Sequence, residues 1–300
     1  MSIGTKIKLD ICIPTFQRSN ECLRQAGFLL NEIKCLEGYR DCEIKIYIRD
    51  NNSSEEDYAA IIDGIEKLRD EGFNVVVNRN NENLGLIGNI RKMLLDDSSG
   101  DYVWFVGDDD ILFNGILDKV VCNLADKKDL FFMNYNCIHK EFGLVRPHAF
   151  DRNESTNIIE LFKNNDAIMM FITSCIYSRE KIISAVLFHE KNHGPLEITF
   201  PLYSAFYCSL KGTVKIIPDI YISDVVSGIS WESVYNKVRL VLVPREILKL
   251  NALGYPKYKT YHCLINYFGK NYRYIIGFIL RFFIPTDIVN KMSRYFKVSS

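Results

Sequence analysis

No stretch of the 300 residues reaches the roughly 18 consecutive apolar residues that a bilayer-spanning helix needs, so no such helix is expected. The amino-terminal segment has no signal-peptide apolar core, because Lys6, Lys8 and Asp10 interrupt it. Cysteine occurs nine times, yet no two cysteines form a Cys-x-x-Cys pair. An odd number of scattered thiols, from Cys12 to Cys263, argues against a disulfide framework or zinc site. It fits reduced, buried thiols in a reducing compartment, and the cytoplasm is the expected location. Internal repeats and low-complexity segments are also missing. What remains is 48% apolar and 25% charged, the balance of a globular protein. The length suits one large α/β domain, or a domain with an appendage.

The net charge of zero conceals a division. From Asn236 to Ser300 there are 12 Lys/Arg against two acids, Glu246 and Asp287, a net +10. The first 235 residues therefore carry −10. A boundary is expected there, with a basic helical extension over 236–300 that meets an anionic surface.

Along the chain, short β-branched runs alternate with helical spacing. Strands are predicted at Leu9 to Ile13, Glu43 to Arg49, Phe73 to Val77 and Tyr102 to Val106. Helices are predicted at Asn20 to Glu37, Glu55 to Glu71 and Asn83 to about Leu95. This alternation predicts a doubly wound, mostly parallel sheet with helices on both faces. Further on, a helix is expected near Gly115 to Ala125 and a strand at Leu130 to Asn134. A helix is then expected at Thr156 to Lys163, a strand at Phe171 to Tyr177 and a helix at Leu196 to Leu210.

The most informative stretch is the fourth strand with the acidic triplet at its end, Asp108-Asp109-Asp110. Adjacent carboxylates repel and invite a counter-ion. A hard divalent cation that bridges to substrate phosphates suits them. Pro14-Thr15, Asp50 and Asn83 to Gly85 also come directly after predicted strands, so a parallel sheet lines all four polar clusters along one edge. Ligands of open α/β sheets bind at that edge. A nucleotide lying there has Asp50 to accept a base N–H, with amides near Pro14 and Gly85 for ribose or phosphate.

These segments resemble the family 2 glycosyltransferases, which have the GT-A fold. Ile11-Cys12-Ile13-Pro14-Thr15-Phe16-Gln17-Arg18 resembles their opening strand and Pro-Thr-aromatic-x-Arg turn. Ile48-Arg49-Asp50-Asn51-Asn52-Ser53 is similar to their base-binding Asp segment. Asn81-Glu82-Asn83-Leu84-Gly85 is similar to their Asn-x-Gly helix entry. Asp101 to Asp110 matches the strand that carries their metal-binding carboxylates. Two departures stand out. Gly107 occupies the place of the first Asp of their Asp-x-Asp-Asp pattern. One acid, Glu197, stands in His193 to Phe200, where family members commonly carry a Glu-Asp pair.

The resemblance implies an inverting transfer of sugar from a nucleotide-sugar donor, with Mn2+ or Mg2+ as the cofactor. It assigns Pro14, Thr15, Arg18, Asp50, Asn83, Gly85 and Asp108 to the donor. Asp109 and Asp110 go to the metal, with Asp109 the principal ligand, and Glu197 is the general base, with His193 the lesser candidate. It divides the transferase domain, 1–235, into a donor half of about 1–112 and an acceptor half of about 113–235. A saccharide acceptor, polyprenyl-diphosphate-linked, in surface-polysaccharide synthesis is expected, and no nucleic acid. Tyr272 to Pro285, apolar with Arg281 inside it and basic neighbours such as Lys270, Arg273 and Lys291, is expected to rest on the inner face of the plasma membrane.

Four other readings compete. A sugar nucleotidyltransferase wants a glycine-rich loop after the first strand, and Pro14 to Arg18 has no glycine. A haloacid-dehalogenase-like phosphatase places its aspartates after the first strand, not the fourth, and EF-hand spacing is absent. A catalytically inactive GT-A scaffold of a polysaccharide assembly complex keeps the fold without turnover.

Overall fold

The computed structural model describes residues 6–36, 42–70, 74–152, 157–165, 167–226 and 232–283. They form two compact units, Met1–Ser233 and Val234–Ser300.

The first unit is built on one sheet. Strands β1 (Ile7–Thr15), β2 (Cys42–Asp50), β3 (Val75–Arg79) and β4 (Tyr102–Phe105) pair in parallel in the order β3-β2-β1-β4. Both faces of the central strands are covered. Leu9, Ile11, Cys12 and Ile13 in β1 and Val103, Trp104 and Phe105 in β4 have no exposed surface, which is why these strands read as continuous apolar runs. Parallel neighbours require long crossovers, supplied by α1 (Ser19–Cys35), α2 (Glu55–Asp70) and α3 (Gly85–Lys92), the last continued by a π-helical turn, Met93–Asp97. That turn is fixed by a buried ion pair. Asp97 accepts from Arg49 Nε at 2.6 Å and from Asn78 Nδ2 at 2.8 Å, tying the helix end to β2 and β3.

Beyond β4 the sheet becomes mixed. After β5 (Ile111–Leu112) and α4 (Ile116–Leu124) come β6 (Leu130–His139) and its hairpin partner β7 (Gly143–Arg146). Next are α5 (Ile158–Asn165), a 3-10 turn at Ile172–Ser174, β8 (Cys175–Ser178), α6 (Arg179–His193), α7 (Phe200–Lys211) and β9 (Val214–Val226). The order continues β4-β8-β6-β9-β5, with β8 antiparallel to β4 and β6, β9 parallel to β6, and β5 antiparallel to β9.

Several predicted boundaries move. The segment Phe171 to Tyr177 is a 3-10 turn leading into a short strand. His193, the lesser base candidate, ends α6. The helix expected from Leu196 starts at Phe200, because Pro201 fits the first helical turn, where its missing N–H is no loss. Glu197 therefore precedes the helix, and its carbonyl accepts the Phe200 N–H at 2.9 Å.

The second unit holds α8 (Glu232–Lys237) in part, a π-helical turn (Val238–Leu242), α9 (Val243–Leu253) and α10 (Lys257–Phe283). Gly254 ends α9 in the left-handed region, at φ +106°, and its N–H reaches the Asn251 carbonyl at 3.1 Å. Helix α10 packs on α9 and on the π turn, where Tyr267 OH donates to the Arg239 carbonyl at 2.9 Å. No described helix is long and apolar enough to cross a membrane. Pro285, Lys291 and the rest of 284–300 lie outside the described residues.

Candidate active site

The parallel register brings the strand ends together. Thr15 pairs with Asp50 and Asp50 with Arg79, while Cys12 pairs with Phe105 and accepts the Val106 N–H at 2.9 Å. The chain leaving β4 at Gly107 thus comes alongside the end of β1. There Thr15 Oγ1 donates to Asp108 Oδ2 at 2.8 Å. Arg18 Nη1 lies 3.1 Å from Asp108 Oδ1 and 2.6 Å from Asp109 Oδ2, so one guanidinium bridges two carboxylates. Arg24 donates to the Asp108 carbonyl at 3.3 Å. Asp108 is buried, and burial pushes its carboxyl above the ordinary range against the opposing pull of Thr15 and Arg18. The Asp109 side chain keeps a third of its surface exposed and is the open member of the triplet.

Asp110 turns the other way. Thr173 Oγ1 donates to its Oδ2 at 2.5 Å, and the same hydroxyl accepts the Gly107 N–H at 2.9 Å. The Asp110 carboxylate folds so closely over Gly107 that a Cβ there would lie 2.5 Å from Oδ2. A side chain at 107 would push the Asp110 carboxylate off its Thr173 hydrogen bond, which gives the glycine in place of an aspartate a steric reason. Burial lifts the Asp110 carboxyl well above the ordinary carboxylate range.

The neighbouring strand ends are held by their own networks. Asp50 is fully buried and accepts the Ser53 N–H at 3.1 Å and the Ser53 hydroxyl, while Arg79 Nε ion-pairs with it at 3.2 Å. The Ser53 hydroxyl in turn accepts the Gln17 N–H at 2.7 Å, which locks the β2 loop to the Pro14–Arg18 turn. Asn51, Asn80, Asn83 and Asn89 form a ladder of amides: Asn80 donates to Asn51 and Asn89, and Asn51 donates to Asn83. Asn83 Oδ1 accepts the Gly85 N–H at 2.8 Å and Asn51 Oδ1 the Leu84 N–H at 2.9 Å. The amides expected to face a ligand at Gly85 are thus already engaged. Gly85 is needed there for its backbone, at φ +68°.

One acid escaped the reading of the sequence. Ile111 pairs with Ser223, so Asp224 on β9 stands next to the β5 strand that carries the triplet into the sheet. It also pairs in register with Cys137, whose Sγ lies 3.6 Å from its Oδ2. Arg146 donates to Cys137 Sγ at 3.0 Å and to Tyr135 OH at 3.1 Å, with its guanidinium over the Tyr135 ring. Burial raises the Asp224 carboxyl, Cys137 and Arg146 oppose the rise, and the charge of Asp109 adds to it. Arg79, Thr173 and Arg146 were missed because each reaches its partner only in the folded sheet: Arg79 across β2 and β3, Thr173 from the turn before β8, and Arg146 across the β6–β7 hairpin. Glu197 is half-buried in the turn before α7, and His193 stacks edge-on with Tyr203, 5.9 Å between centroids.

The donor set suits a hard cation of limited protein coordination. Asp108 and Asp109 come close enough to share one positive group. Among the described residues, however, no three His, Cys, Asp or Glu side chains converge as ligands. A divalent ion would take one or two carboxylates here and complete its shell from substrate phosphate and water, the habit of Mg2+ and of similar ions.

Residues 10–187 match the family model described as glycosyl transferase family 2. The chain belongs to that family. This glycosyltransferase shares its fold with TarS of S. aureus, whose 1–349 fragment superposes with a TM-score of 0.61 at 17% identity, covering 89% of this chain and 72% of that one. The same fragment in complex with UDP-GlcNAc gives 0.60 at 17%, covering 89% and 73%. The mannosyltransferase PcManGT from Pyrobaculum calidifontis, in complex with GDP-Man and Mn2+, gives 0.58 at 14%, covering 88% and 69%. At these identities the likeness is one of fold. No curated protein matches the chain.

Proposed function

We propose that this glycosyltransferase moves a sugar, with inversion, from a nucleotide-sugar donor to a saccharide acceptor. The observation that carries this reading is the row of strand ends Thr15, Asp50, Arg79 and Asp108, set side by side where open α/β sheets take their ligands. The solved relatives with UDP-GlcNAc and with GDP-Man and Mn2+ support the donor class and the metal. Asp50, buried beneath the site, positions the Ser53 turn that meets the base. Pro14, Thr15, Arg18, Asn83, Gly85 and Asp108 frame the ribose and diphosphate. Asp109 and Asp110 would hold a divalent ion, which when bound would offset charge that builds on a departing diphosphate.

Glu197 takes the proton of the acceptor hydroxyl. The freed oxygen forms its bond to the anomeric carbon as the bond from that carbon to the diphosphate breaks, and the electron pair leaves with the nucleotide. A second reading gives the proton to Asp224, on the strength of its place beside β5 and within the field of Asp109.

A lipid-linked saccharide of surface-polysaccharide synthesis is the proposed acceptor, reached from an anionic membrane surface through the basic extension. The test is thermal denaturation with UDP-, GDP-, CDP- and dTDP-sugars, each with Mn2+ or Mg2+. One base should stabilise the protein in a metal-dependent way, and the purified enzyme should slowly hydrolyse that donor. Binding without hydrolysis or transfer makes the protein a scaffold; no binding by any donor overturns the reading.

A further inference from the structure

Helix α10 has two different faces. Thr260, Cys263, Tyr267 and Asn271 form a buried stripe, anchored where Arg239 donates to Asn271 Oδ1 at 3.0 Å and accepts from Tyr267. Tyr258, Tyr261, Ile265, Phe268, Tyr272 and Ile276 form an exposed one, from 38% exposed at Phe268 to 69% at Tyr258. Steps of three, four, three, four and four residues keep these six side chains within an arc of about 80° over about 27 Å of helix. Isolated surface apolar groups are ordinary, but a continuous face of this length marks an interaction surface.

The charges beside the stripe select its occupant. By the same helical geometry Lys257 lies about 20° outside one edge of the stripe and Arg273 about 60° outside the other, with Lys259 and Lys270 further round the helix. Helix α10 contains no acid at all. Glu246, the one acid among the described residues of this unit, is buried and paired with Lys249 at 2.7 Å. A second copy of the chain is the natural rival, because three-four spacing is that of a coiled-coil seam. Such a seam would bring together basic flanks with no acid to answer them, over a stripe of four aromatics and two isoleucines. Anionic headgroups answer both features. Aromatic side chains favour the boundary between apolar and wet regions, and the lysine and arginine stems reach past it to phosphate.

We propose that the Tyr258–Ile276 face of α10 lies flat on an anionic lipid surface. This rests on the membrane clause of the function proposed above and names its contact residues. It moves the contact toward the start of the helix, ahead of the Tyr272 to Pro285 segment that the sequence suggests.

The test is sedimentation of the full-length protein with vesicles of phosphatidylcholine alone or with about one third phosphatidylglycerol. Binding should favour the anionic vesicles by about tenfold or more and fall at high salt. The double variant Ile265→Ser/Phe268→Ser should lose about tenfold in partitioning, and Lys257→Glu/Arg273→Glu, on exposed sites that leave folding alone, at least as much. Absence of pelleting, equal pelleting with neutral vesicles, or variants that bind like wild type would overturn the proposal. A concentration-dependent dimer lost in Ile265→Ser/Phe268→Ser would assign the stripe to a second copy instead. Nucleotide-sugar stabilisation of the same variants reports on the enzyme separately. Its loss across all proteins, wild type included, would sink the transferase reading and leave the lipid surface standing.

Discussion

At the scale of single residues, the three aspartates after β4 divide their work by burial. Asp109 is the open one, so Asp109→Asn should leave the fold intact and remove metal-dependent donor binding. Calorimetric titration of donor and metal with wild-type affinity would move the principal ligand elsewhere. The base is decided by a pair of variants: Glu197→Gln and Asp224→Asn should both bind donor, and the one that removes the base should lose transfer by about a hundredfold or more. If neither loses it, the proton goes to His193 or to water. Asp110 makes a different prediction, about pH. Its carboxyl, raised by burial, keeps a proton in the folded state at pH values where the unfolded chain has lost its own. Stability therefore falls as pH rises from about 3.9, the unfolded value, to the raised folded value, and the loss is complete above it. In Asp110→Asn that titration is gone, while the amide oxygen still accepts from Thr173. Urea denaturation across this window should show the wild type losing stability more steeply than the variant, and parallel slopes would mean that Asp110 stays ionised.

At the scale of elements, the ion pair of Asp97 with Arg49 fastens the π turn after α3 to the sheet. Asp97→Ala would leave a buried guanidinium without its carboxylate and should cost about 3–5 kcal/mol in denaturant unfolding. A loss under about 1 kcal/mol would mean that water reaches Arg49. Elements of this half were legible in the sequence because each of the first four strands is a short apolar run closed by polar turn residues: Pro14-Thr15, Asp50 to Ser54, Asn80 to Asn83 and Gly107 to Asp110. Their parallel pairing came from alternation with helices, and the edge they share came from the pairing. Beyond β5 this logic fails. Strand β9 contains Pro218, Asp219, Ser223 and Asp224, so no simple alternation survives, and its register with β6 shifts at Met133 and again at Asn134. Helix α6 went unread because its apolar and charged residues are spread around the axis instead of gathering on one side. Pro201, at the first turn, sets the start of α7. The chain beyond β5 was therefore the less legible half, and Asp224 could be seen only once β9 had been placed beside β5.

At the scale of the whole molecule, donor binding should appear as heat stability of the transferase unit. A nucleotide-sugar at about 100 times its Kd adds about 2.7 kcal/mol, which for a unit of this size raises Tm by about 5–10 °C. A shift of that size that disappears on chelation of the metal ties the two ligands to one site; a shift unaffected by chelation would show a donor held by protein alone. The division into Met1–Ser233 and Val234–Ser300 has a further consequence, visible at a preparative bench. The second unit carries +10 and the first −10, so a chain with a sequence pI near 6.9 is neutral only by cancellation. On ion-exchange resins at neutral pH it should behave as an ampholyte, retained at low ionic strength by anion and cation exchangers alike. Its solubility should fall as salt is withdrawn, when the basic extension of one molecule finds the acidic body of the next.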